Sequence, residues 1–540
     1  MFKDRCYNII IMIKKLLRKL STTIVGGAIL IGFFTIFSKV LGLVRDRMLA
    51  SFFGAGQILD SYFASFRIPD LIFNTLVLGA LASAFVPVFT KLNQKDKPRA
   101  IKVSNSILNI ISLGLAVIAV IFIIKADFFV RILFSGFNEF QFKLTAQLTR
   151  IMLLSIVIFG ISNVMSSLLN SYKSYFSYSI APLMYNIGII IGIIFSKFYG
   201  CVYLAWGVVL GAFLHLIIQL WAVLKSGWKY QPILNFKDKY VKKIFKLMIP
   251  RTFGLAVNQI NQLVITMIAS GLAIGSISVF YFGINLQSVV VSIFGISIAI
   301  AIFPVLSEQA NNQQEFIHYL VNKIKKVIFL VIPISVLIIL LRAQIVRVVL
   351  GTGSFDWQDT YYTAQVLGYF ACSLVFQCLI PIIARAFYAL EDTKTPVITS
   401  VISFLINICL ALVLSKSMGI EGLAIAFSVS NIINLSLLFI ILHKRFFHMK
   451  GYKWSSFIMK IIASSLIMGG VVYIARYLLS LGVNMNTFMG ILLQLIFSFL
   501  LGVIVYFICS VIMKIPESDL IKKYYHKLEV YLLSKINNSN

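Results

Sequence analysis

Seven charged side chains lie in the interior of one strongly hydrophobic stretch of the chain, which runs from Ile31 to Lys91. They are Lys39, Arg45, Asp46, Arg47, Asp60, Arg67 and Asp70. A charged side chain near the centre of a bilayer costs roughly 2.5 kcal/mol or more, so such residues usually face a protein interior or a water-filled cavity. Arginine offers a phosphate forked hydrogen bonds, and lysine offers it a point charge. Because the cations outnumber the acids, the stretch favours a cavity for an anionic headgroup.

The spacing of these residues defines two helix faces. Four polar residues of the second hydrophobic run share one stripe of a helix, because they are spaced at i, i+7, i+10 and i+14. They are Asp60, Arg67, Asp70 and Asn74. On the first run, Lys39 and Asp46 are i+7 neighbours. The alternative to a headgroup pocket is that the three acids neutralise the three arginines in structural pairs, or that Arg45 and Arg47 only extend to the outer interface.

The composition is that of a membrane protein with many spans. Of 540 residues, 60% are hydrophobic and 12% are charged, and a soluble domain could not bury so much apolar surface. The formal net charge of +30 is concentrated between the hydrophobic runs, which encodes membrane orientation and argues against a nucleic-acid partner. Six scattered cysteines without a C-x-x-C pair, and His215 inside an apolar run, are interpreted as packing residues.

Enzyme motifs are missing from the sequence: it contains no H-E-x-x-H, Walker loop, nucleophile elbow or acidic metal cluster. We therefore predict that the protein is not an enzyme and needs no cofactor. If the protein transports a molecule, the energy would come from an ion gradient such as that of Na⁺, from the membrane potential, or from a later reaction that consumes the transported molecule.

Fourteen hydrophobic runs are long enough to cross a bilayer, which needs about 20 residues per helix. The predicted fold is all-α and polytopic, with about 14 transmembrane helices. The runs are 22–50, 58–90, 103–124, 145–172, 179–197, 201–224, 247–271, 276–305, 324–342, 362–389, 396–416, 421–442, 455–477 and 487–512. Basic residues alternate between the connecting loops, which predicts that both termini are cytoplasmic. The N-terminal segment is interpreted as retained rather than as a signal peptide.

The first twelve runs contain an internal duplication. Three pairs of landmarks recur in the same order, at offsets of 217, 218 and 221 residues. The pairs are Pro87 and Pro304, Thr145 and Thr363, and Asn186 and Asn407. Six spans restore the membrane orientation, so the two halves are predicted to be parallel repeats around a central cleft, which is a transporter design. The predicted organisation is a basic N-terminal segment (1–21), an N-lobe (22–224), a linker (225–246), a C-lobe (247–442), two further helices (443–512) and a tail (513–540).

These motifs resemble those of the MurJ (MviN) family of lipid II flippases, within the multidrug/oligosaccharidyl-lipid/polysaccharide exporter superfamily. The resemblance rests on FSKVLGLVRDRMLASFFGAGQILDSYFASFRIPDLIFN from residue 37, on GALASAFVPVF, and on RAFYALEDTKTPV at 385–397. It implies an undecaprenyl-pyrophosphate-linked peptidoglycan precursor as substrate, a cationic cavity between two lobes, and a lipid-tail groove formed by the last two helices. It also implies a role in cell wall biogenesis and cell shape, the bacterial cytoplasmic membrane as location, and membrane lipids and the cell-wall synthesis machinery as partners.

The resemblance also carries over site residues. The arginine pair of the family's first helix falls on Lys39 and Arg45, so one member is a lysine here. Phe73 and Asn74 replace a frequent arginine pair, and Asn285 stands where a substrate-contacting arginine is expected. The predicted substrate-binding residues are Lys39, Arg45, Asp46, Arg67, Asp70, Asn74 and Asn285, with no metal site assigned. Alternatives left open are a flippase for another polyprenyl-linked glycan, a cation-coupled drug exporter, and a membrane scaffold that does not transport.

Overall fold

A computed structural model describes residues 24–446 and 454–518 of the chain. Within these residues the secondary structure is helical and contains no strand, which confirms the all-α fold. The basic segment 1–21, most of the loop after the twelfth run and most of the tail lie outside the described residues. The structure separates into two compact units. The first contains the described residues up to Ser278 with Thr352–Phe355, and the second contains Val279–Gly351 and the described residues from Asp356.

The first seven hydrophobic runs correspond to helices α1 to α10. The bounds are α1 Ile24–Phe53, α2 Gln57–Ser65, α3 Arg67–Phe73, a π-helix Asn74–Leu78, α4 Gly79–Lys95, α5 Lys97–Ile124, α6 Ala126–Leu133, α7 Glu139–Ser171, α8 Tyr175–Tyr199, α9 Val202–Lys225 and α10 Lys239–Ser270. The second run is therefore one interrupted span, α2 to α4. The linker before α10 is fixed to α5, because Asn105 and Asn109 donate to its backbone carbonyls at 3.0 Å. Asn105 also accepts a hydrogen bond from the Gln231 amide at 2.9 Å.

The remaining runs correspond to helices α11 to α18. The bounds are α11 Ser276–Val290, a π-helix Val291–Ile296, α12 Ser297–Glu308, α13 Gln313–Val349, α14 Trp357–Cys372, α15 Leu374–Ala389, α16 Lys394–Phe446, α17 Trp454–Gly482 and α18 Phe488–Ile512. The core of the second unit forms where α13 packs against α14, α15, α17 and α18.

The helix α16 is a hairpin of two spans. Its backbone leaves the helical conformation at Gly419, with a positive φ of 58° that glycine adopts without strain. The Ser403 hydroxyl donates to the Ser430 carbonyl at 2.5 Å. In a continuous helix these residues, 27 apart, would lie about 40 Å from each other. The eleventh and twelfth runs are therefore separate, adjacent helices.

Many helices of the described chain are long enough to span a membrane. Ten of its helices are long and apolar enough to cross a membrane, and the pair α14 and α15, bent by 47°, raises the number to eleven. The protein is thus an integral membrane protein. Each of the fourteen predicted runs coincides with a helical segment, while the count of fourteen spans itself stays a prediction.

The duplication has a structural counterpart within each unit. The two π-helices begin at Asn74 and Val291, at the same 217-residue offset as Pro87 and Pro304. A π-turn inserts an extra residue into a helix and bends it locally. The first unit also contains α10, which packs on α3, on the first π-helix and on α4. The sequence repeat assigns this helix to the C-lobe, and that lobe boundary stays a prediction.

Close helix packing in the first unit depends on glycine. A Cβ built on Gly188 of α8 would lie 2.2 Å from the Cα of Gly211 on α9. One built on Gly192 would lie 2.4 Å from the Cα of Gly207. The two backbones therefore touch along their length, as small residues allow in membrane helices. This contact fixes α8, which carries Asn186, against α9, which carries His215.

Candidate substrate site

The first cluster of predicted site residues joins α1 to α8. The Arg45 guanidinium donates to Asp46 Oδ1 from Nε at 3.0 Å and from Nη2 at 2.8 Å. Its Nη1 donates to Asn186 Oδ1 at 3.2 Å. The side chain of Asp46 is 4% exposed and that of Arg45 is 15% exposed. The ion pair that the sequence offered as an alternative is present, and it holds Arg45 in one orientation.

Asn186 fixes this cluster from α8. Its Nδ2 donates to Ser38 Oγ at 3.1 Å and to the Pro182 carbonyl at 3.2 Å. Sequence analysis used Asn186 only as a landmark of the duplication, although an asparagine in the apolar stretch LMYNIGIIIG was a usable signal. Lys39 is exposed on α1 and interacts electrostatically with Arg45 and Asp46. Two cations of α1 thus lie close enough to act on one anion.

The second cluster lies where α3 and the first π-helix face α10. Arg67 Nη1 donates to Gln262 Oε1 at 3.0 Å, and Asn74 Nδ2 donates to Gln259 Oε1 at 3.4 Å. The two glutamines are one helical turn apart on α10, so they cover the stripe predicted from the spacing. Sequence analysis missed them, although the polar segment NQINQ at 258–262 interrupts an apolar helix.

Asp70 lies one turn after Arg67 and is half-buried. No described residue donates a hydrogen bond to its carboxylate, and Arg67 acts on it electrostatically. The structure therefore brings Arg67, Asp70 and Asn74 together, as predicted, but with amides of α10 as their hydrogen-bonding partners.

Asp60, at the start of the same stripe, has a structural function. It is 2% exposed, and its carboxylate accepts hydrogen bonds from the backbone amides of Gly275 and Ser278 at 2.7 and 2.8 Å. The Ser278 hydroxyl also donates to it at 2.7 Å. Asp60 thus stabilises the start of α11, whose unpaired amides and positive dipole end favour a carboxylate.

The predicted residue Asn285 lies in the second unit, on α11, and is half-buried. Its backbone carbonyl accepts a hydrogen bond from the Ser288 hydroxyl at 2.8 Å. The other six predicted residues belong to the first unit. Substrate contact by all seven stays a prediction.

The motif EDTKTP forms the junction between α15 and α16. Asp392 accepts hydrogen bonds from the Thr395 amide at 3.0 Å and hydroxyl at 2.7 Å, and from the Arg445 guanidinium. Burial alone would raise the pKa of Asp392, but these hydrogen bonds outweigh it and hold the pKa below its ordinary value. Arg385, just before the motif, stacks over Phe303 at 5.2 Å. Both contacts therefore connect the junction to neighbouring helical segments.

An apolar cavity of about 700 Å³ lies in the second unit. Helices α13, α14, α15, α16 and α17 line it, with side chains that include Ile328, Val336, Val375, Phe376, Phe439 and Ile458. Apolar walls of this kind suit a hydrocarbon chain rather than a polar solute.

The fold defines the class of protein. An inward-facing multidrug resistance MATE family transporter of the MOP superfamily aligns with a TM-score of 0.66 at 15% identity, over 79% of this chain and 99% of that chain. At such low identity the likeness shows a shared fold alone. A solved "Lipid II flippase MurJ, inward closed conformation" aligns with a TM-score of 0.76 at 28% identity, over 91% of this chain and 100% of that chain.

The family follows from the sequence comparison. The profile of the family "Lipid II flippase MurJ" matches residues 49–493, and the chain belongs to this family. The probable lipid II flippase MurJ of Thermotoga maritima is 30% identical over 488 residues, 90% of this chain and 96% of the relative. That of Borreliella burgdorferi is 30% identical over 426 residues, 78% of this chain and 84% of the relative.

Proposed function

We propose that this protein flips lipid II, moving the undecaprenyl-pyrophosphate-linked precursor from the cytoplasmic to the outer leaflet by alternating access. Family membership across residues 49–493 is the observation that carries this proposal. The two repeats and the cations within the spans support it. The protein acts as a transporter rather than as an enzyme, in the bacterial inner membrane with both termini in the cytoplasm.

The cations of α1 are the proposed pyrophosphate contacts. Arg45 is already oriented by Asp46 and Asn186, so little conformational entropy is lost when an anion binds. Lys39 adds a mobile point charge next to it. Asp46 partly neutralises the pair, which keeps the affinity for a doubly charged headgroup low enough for release. Arg67 is the proposed third contact, and Asn285 belongs to the same predicted set.

The apolar cavity of the second unit is the proposed path of the lipid tail. Ile458 and Ile462 of α17 line it, in agreement with the role predicted for the last two helices. An undecaprenyl chain gains about 0.8 kcal/mol for each methylene removed from water, so it needs a continuous apolar surface while its headgroup crosses.

One observation favours a different polyprenyl-linked glycan as the substrate. Amide side chains stand at Asn74 and Asn285, where the family pattern led us to expect arginine, and Asn74 pairs with Gln259. Amide side chains donate hydrogen bonds to sugar hydroxyls and accept them, whereas arginines bind phosphates through charged hydrogen bonds. A glycan with more hydrogen-bonding groups and less charge would fit such a site.

The deciding experiment is complementation of a strain depleted of its own lipid II flippase, paired with a translocation assay of lipid II in vesicles. We expect growth and appearance of lipid II in the outer leaflet. A matched control is Lys39→Ala, which should reach the membrane but not translocate. Translocation of another polyprenyl-linked glycan without lipid II would support the second candidate, and translocation of neither would support a scaffold.

A further inference from the structure

A cavity of about 240 Å³ lies entirely within the first unit, between α3, α7, α8 and α9. Asp70, Asn74, Ser155, Phe159, Tyr185 and His215 are among the residues that line it. A volume of this size holds several ordered waters, and its polar groups can bind them. Asp70 and His215 are the lining residues that ordinarily titrate at or below neutral pH. The proposed pyrophosphate contacts of α1 do not line this cavity.

His215 on α9 is held by a network of hydroxyl and amide groups on α7 and α9. The Ser162 and Ser166 hydroxyls both donate to Gln219 Oε1, at 3.1 and 2.9 Å. Ser162 Oγ also lies 2.7 Å from His215 Nδ1. The Ser162 hydroxyl can donate its single proton either to Gln219 or to His215, so the tautomer of His215 decides the direction of the hydrogen bond between Ser162 and His215. In either tautomer, one ring nitrogen of neutral His215 carries a lone pair that can accept a proton.

Asp70 is the second proton acceptor of the cavity. No described residue donates a hydrogen bond to its carboxylate, and the neighbouring cation is Arg67 on the same helix. The other elements around the cavity contribute polar side chains but few charges. The α8 residue that lines it is Tyr185, and the lining residues of α7 are uncharged. On α10, the uncharged Gln259 and Gln262 face Asn74 and Arg67.

We propose that this cavity is a proton-binding site linked to substrate binding, in which Asp70 and His215 take up one proton when an anionic headgroup binds near Arg67. The proton passes from water to Asp70 Oδ or to the His215 ring nitrogen that carries the lone pair, and no other bond is made or broken. Protonation of Asp70 removes the negative charge beside Arg67, so the field of Arg67 acts more fully on the pyrophosphate. The proposal rests on the proposed function for the identity of the anion.

Linkage makes the effect reciprocal: if a proton strengthens headgroup binding, the headgroup strengthens proton binding by the same factor. Loss of the proton restores the negative charge of Asp70 beside Arg67 and lowers the affinity for the headgroup. The cavity thus couples the protonation state to substrate affinity without requiring that a proton gradient drive transport.

The test uses the full-length protein in nanodiscs and measures lipid II binding at about pH 6 and about pH 8, on either side of the ordinary histidine pKa. The wild type should bind lipid II about fivefold or more tightly at the lower pH, the lower end of usual coupling. Asp70→Asn mimics the protonated carboxyl, so it should bind at both pH values as the wild type does in acid. His215→Gln should reduce the pH dependence while Asp70 remains.

The control is His318→Gln, a histidine on α13 that contacts Asn322 and is remote from this cavity in sequence. It should keep the wild-type pH dependence. Equal affinity of the wild type at both pH values, or an unchanged pH dependence in both Asp70→Asn and His215→Gln, would overturn the proposal. Lipid II binding that depends on the Na⁺ concentration but not on pH would overturn the proposal that the cavity binds a proton.

A second measurement separates this proposal from the proposed function. Infrared titration of the protein without lipid II should show a protonated-carboxyl band that Asp70→Asn removes and His318→Gln retains. If the band titrates but lipid II does not bind, the substrate assignment fails and the proton site stands. If lipid II binds and is flipped while no such band depends on Asp70, the proton site fails and the proposed function stands.

Discussion

At the scale of single residues, the predicted cations Arg45 and Arg67 are hydrogen-bonded to acids and amides that give both of them a defined orientation. Arg45 is paired with the buried Asp46 and held by Asn186. Arg67 donates to Gln262. An unpaired buried carboxylate is strongly destabilising, so a variant of Arg45 has consequences for folding as well as for substrate binding.

Arg45→Ala should therefore reduce both the thermal stability of the purified protein and complementation. The loss of a partner for a buried charge costs about 3–5 kcal/mol. Arg45→Ala/Asp46→Asn should restore stability, measured as the unfolding midpoint, but not lipid II translocation. Recovery of translocation in the double variant would contradict a headgroup contact for Arg45.

Lys39→Ala should abolish complementation at a normal level of folded protein, because Lys39 is exposed and solvent screens its electrostatic interactions. Lys39→Arg should be tolerated, since it keeps the charge. The matched control is Lys143→Ala, at an exposed lysine paired only with Glu139. Growth of the Lys39→Ala strain at the wild-type rate would exclude Lys39 from the site.

At the scale of helices and their junctions, polar residues fix where elements begin. The carboxylate of Asp392 binds the start of α16 and Arg445 near its end. The folded-state pKa of Asp392 is lowered, so its stabilising contribution is present above the unfolded pKa of about 3.9 and is lost as pH falls through the folded pKa.

The unfolding midpoint of Asp392→Asn should accordingly be lower than that of the wild type at neutral pH. The difference should shrink as the pH falls below about 4, where the carboxylate is protonated first in the unfolded state and then, at lower pH, in the native state. Thermal unfolding in detergent, from neutral pH to below pH ~4, measures the difference in midpoint between the two proteins. A difference that stays constant across the range would contradict the electrostatic role of Asp392.

Glycine contacts position the helices that carry Asn186 and His215. Gly188→Val should lower the yield of folded protein severely, because its side chain would meet the backbone of Gly211. Gly114→Val on α5 is the control, since nothing lies within 4 Å of a Cβ built there. Detergent-extracted yield and size-exclusion profile give the measurement, and equal yields for the two variants would refute the close contact.

At the scale of the whole molecule, the predicted orientation in the membrane can be tested by labelling introduced cysteines. In a background without native cysteines, Ser480→Cys and Ser417→Cys should label from outside the cell, and both positions are exposed. Gln94→Cys and Ser455→Cys, also exposed, should label only after permeabilisation. External labelling at Gln94 would reverse or break the predicted topology. Ser270 lies in a predicted outer loop but is 5% exposed, so it is a poor reporter.

The sequence by itself determined the features that depend on local pattern. Each of its fourteen apolar runs predicted a helical segment, although the short helix α6 between the third and fourth runs was not predicted. The offsets between landmarks predicted the duplication that the two π-helices share. It also placed Arg67, Asp70 and Asn74 on one stripe and marked Lys39 and Arg45 as the cations of α1. These succeed because helical periodicity and the cost of charge in a membrane act within one segment.

Tertiary structure alone decided which partner each polar residue meets. Asn186 contacts Arg45 across 141 residues, Arg67 meets Gln262 across 195, and Asp60 reaches the start of α11 across more than 200. His215, interpreted from sequence as a packing residue, shares a cavity with Asp70. Periodicity gives the face of a helix but not the helix that this face meets. That choice depends on packing between distant segments, where an asparagine or a glutamine in an apolar run finds its donor or acceptor only after the helices assemble.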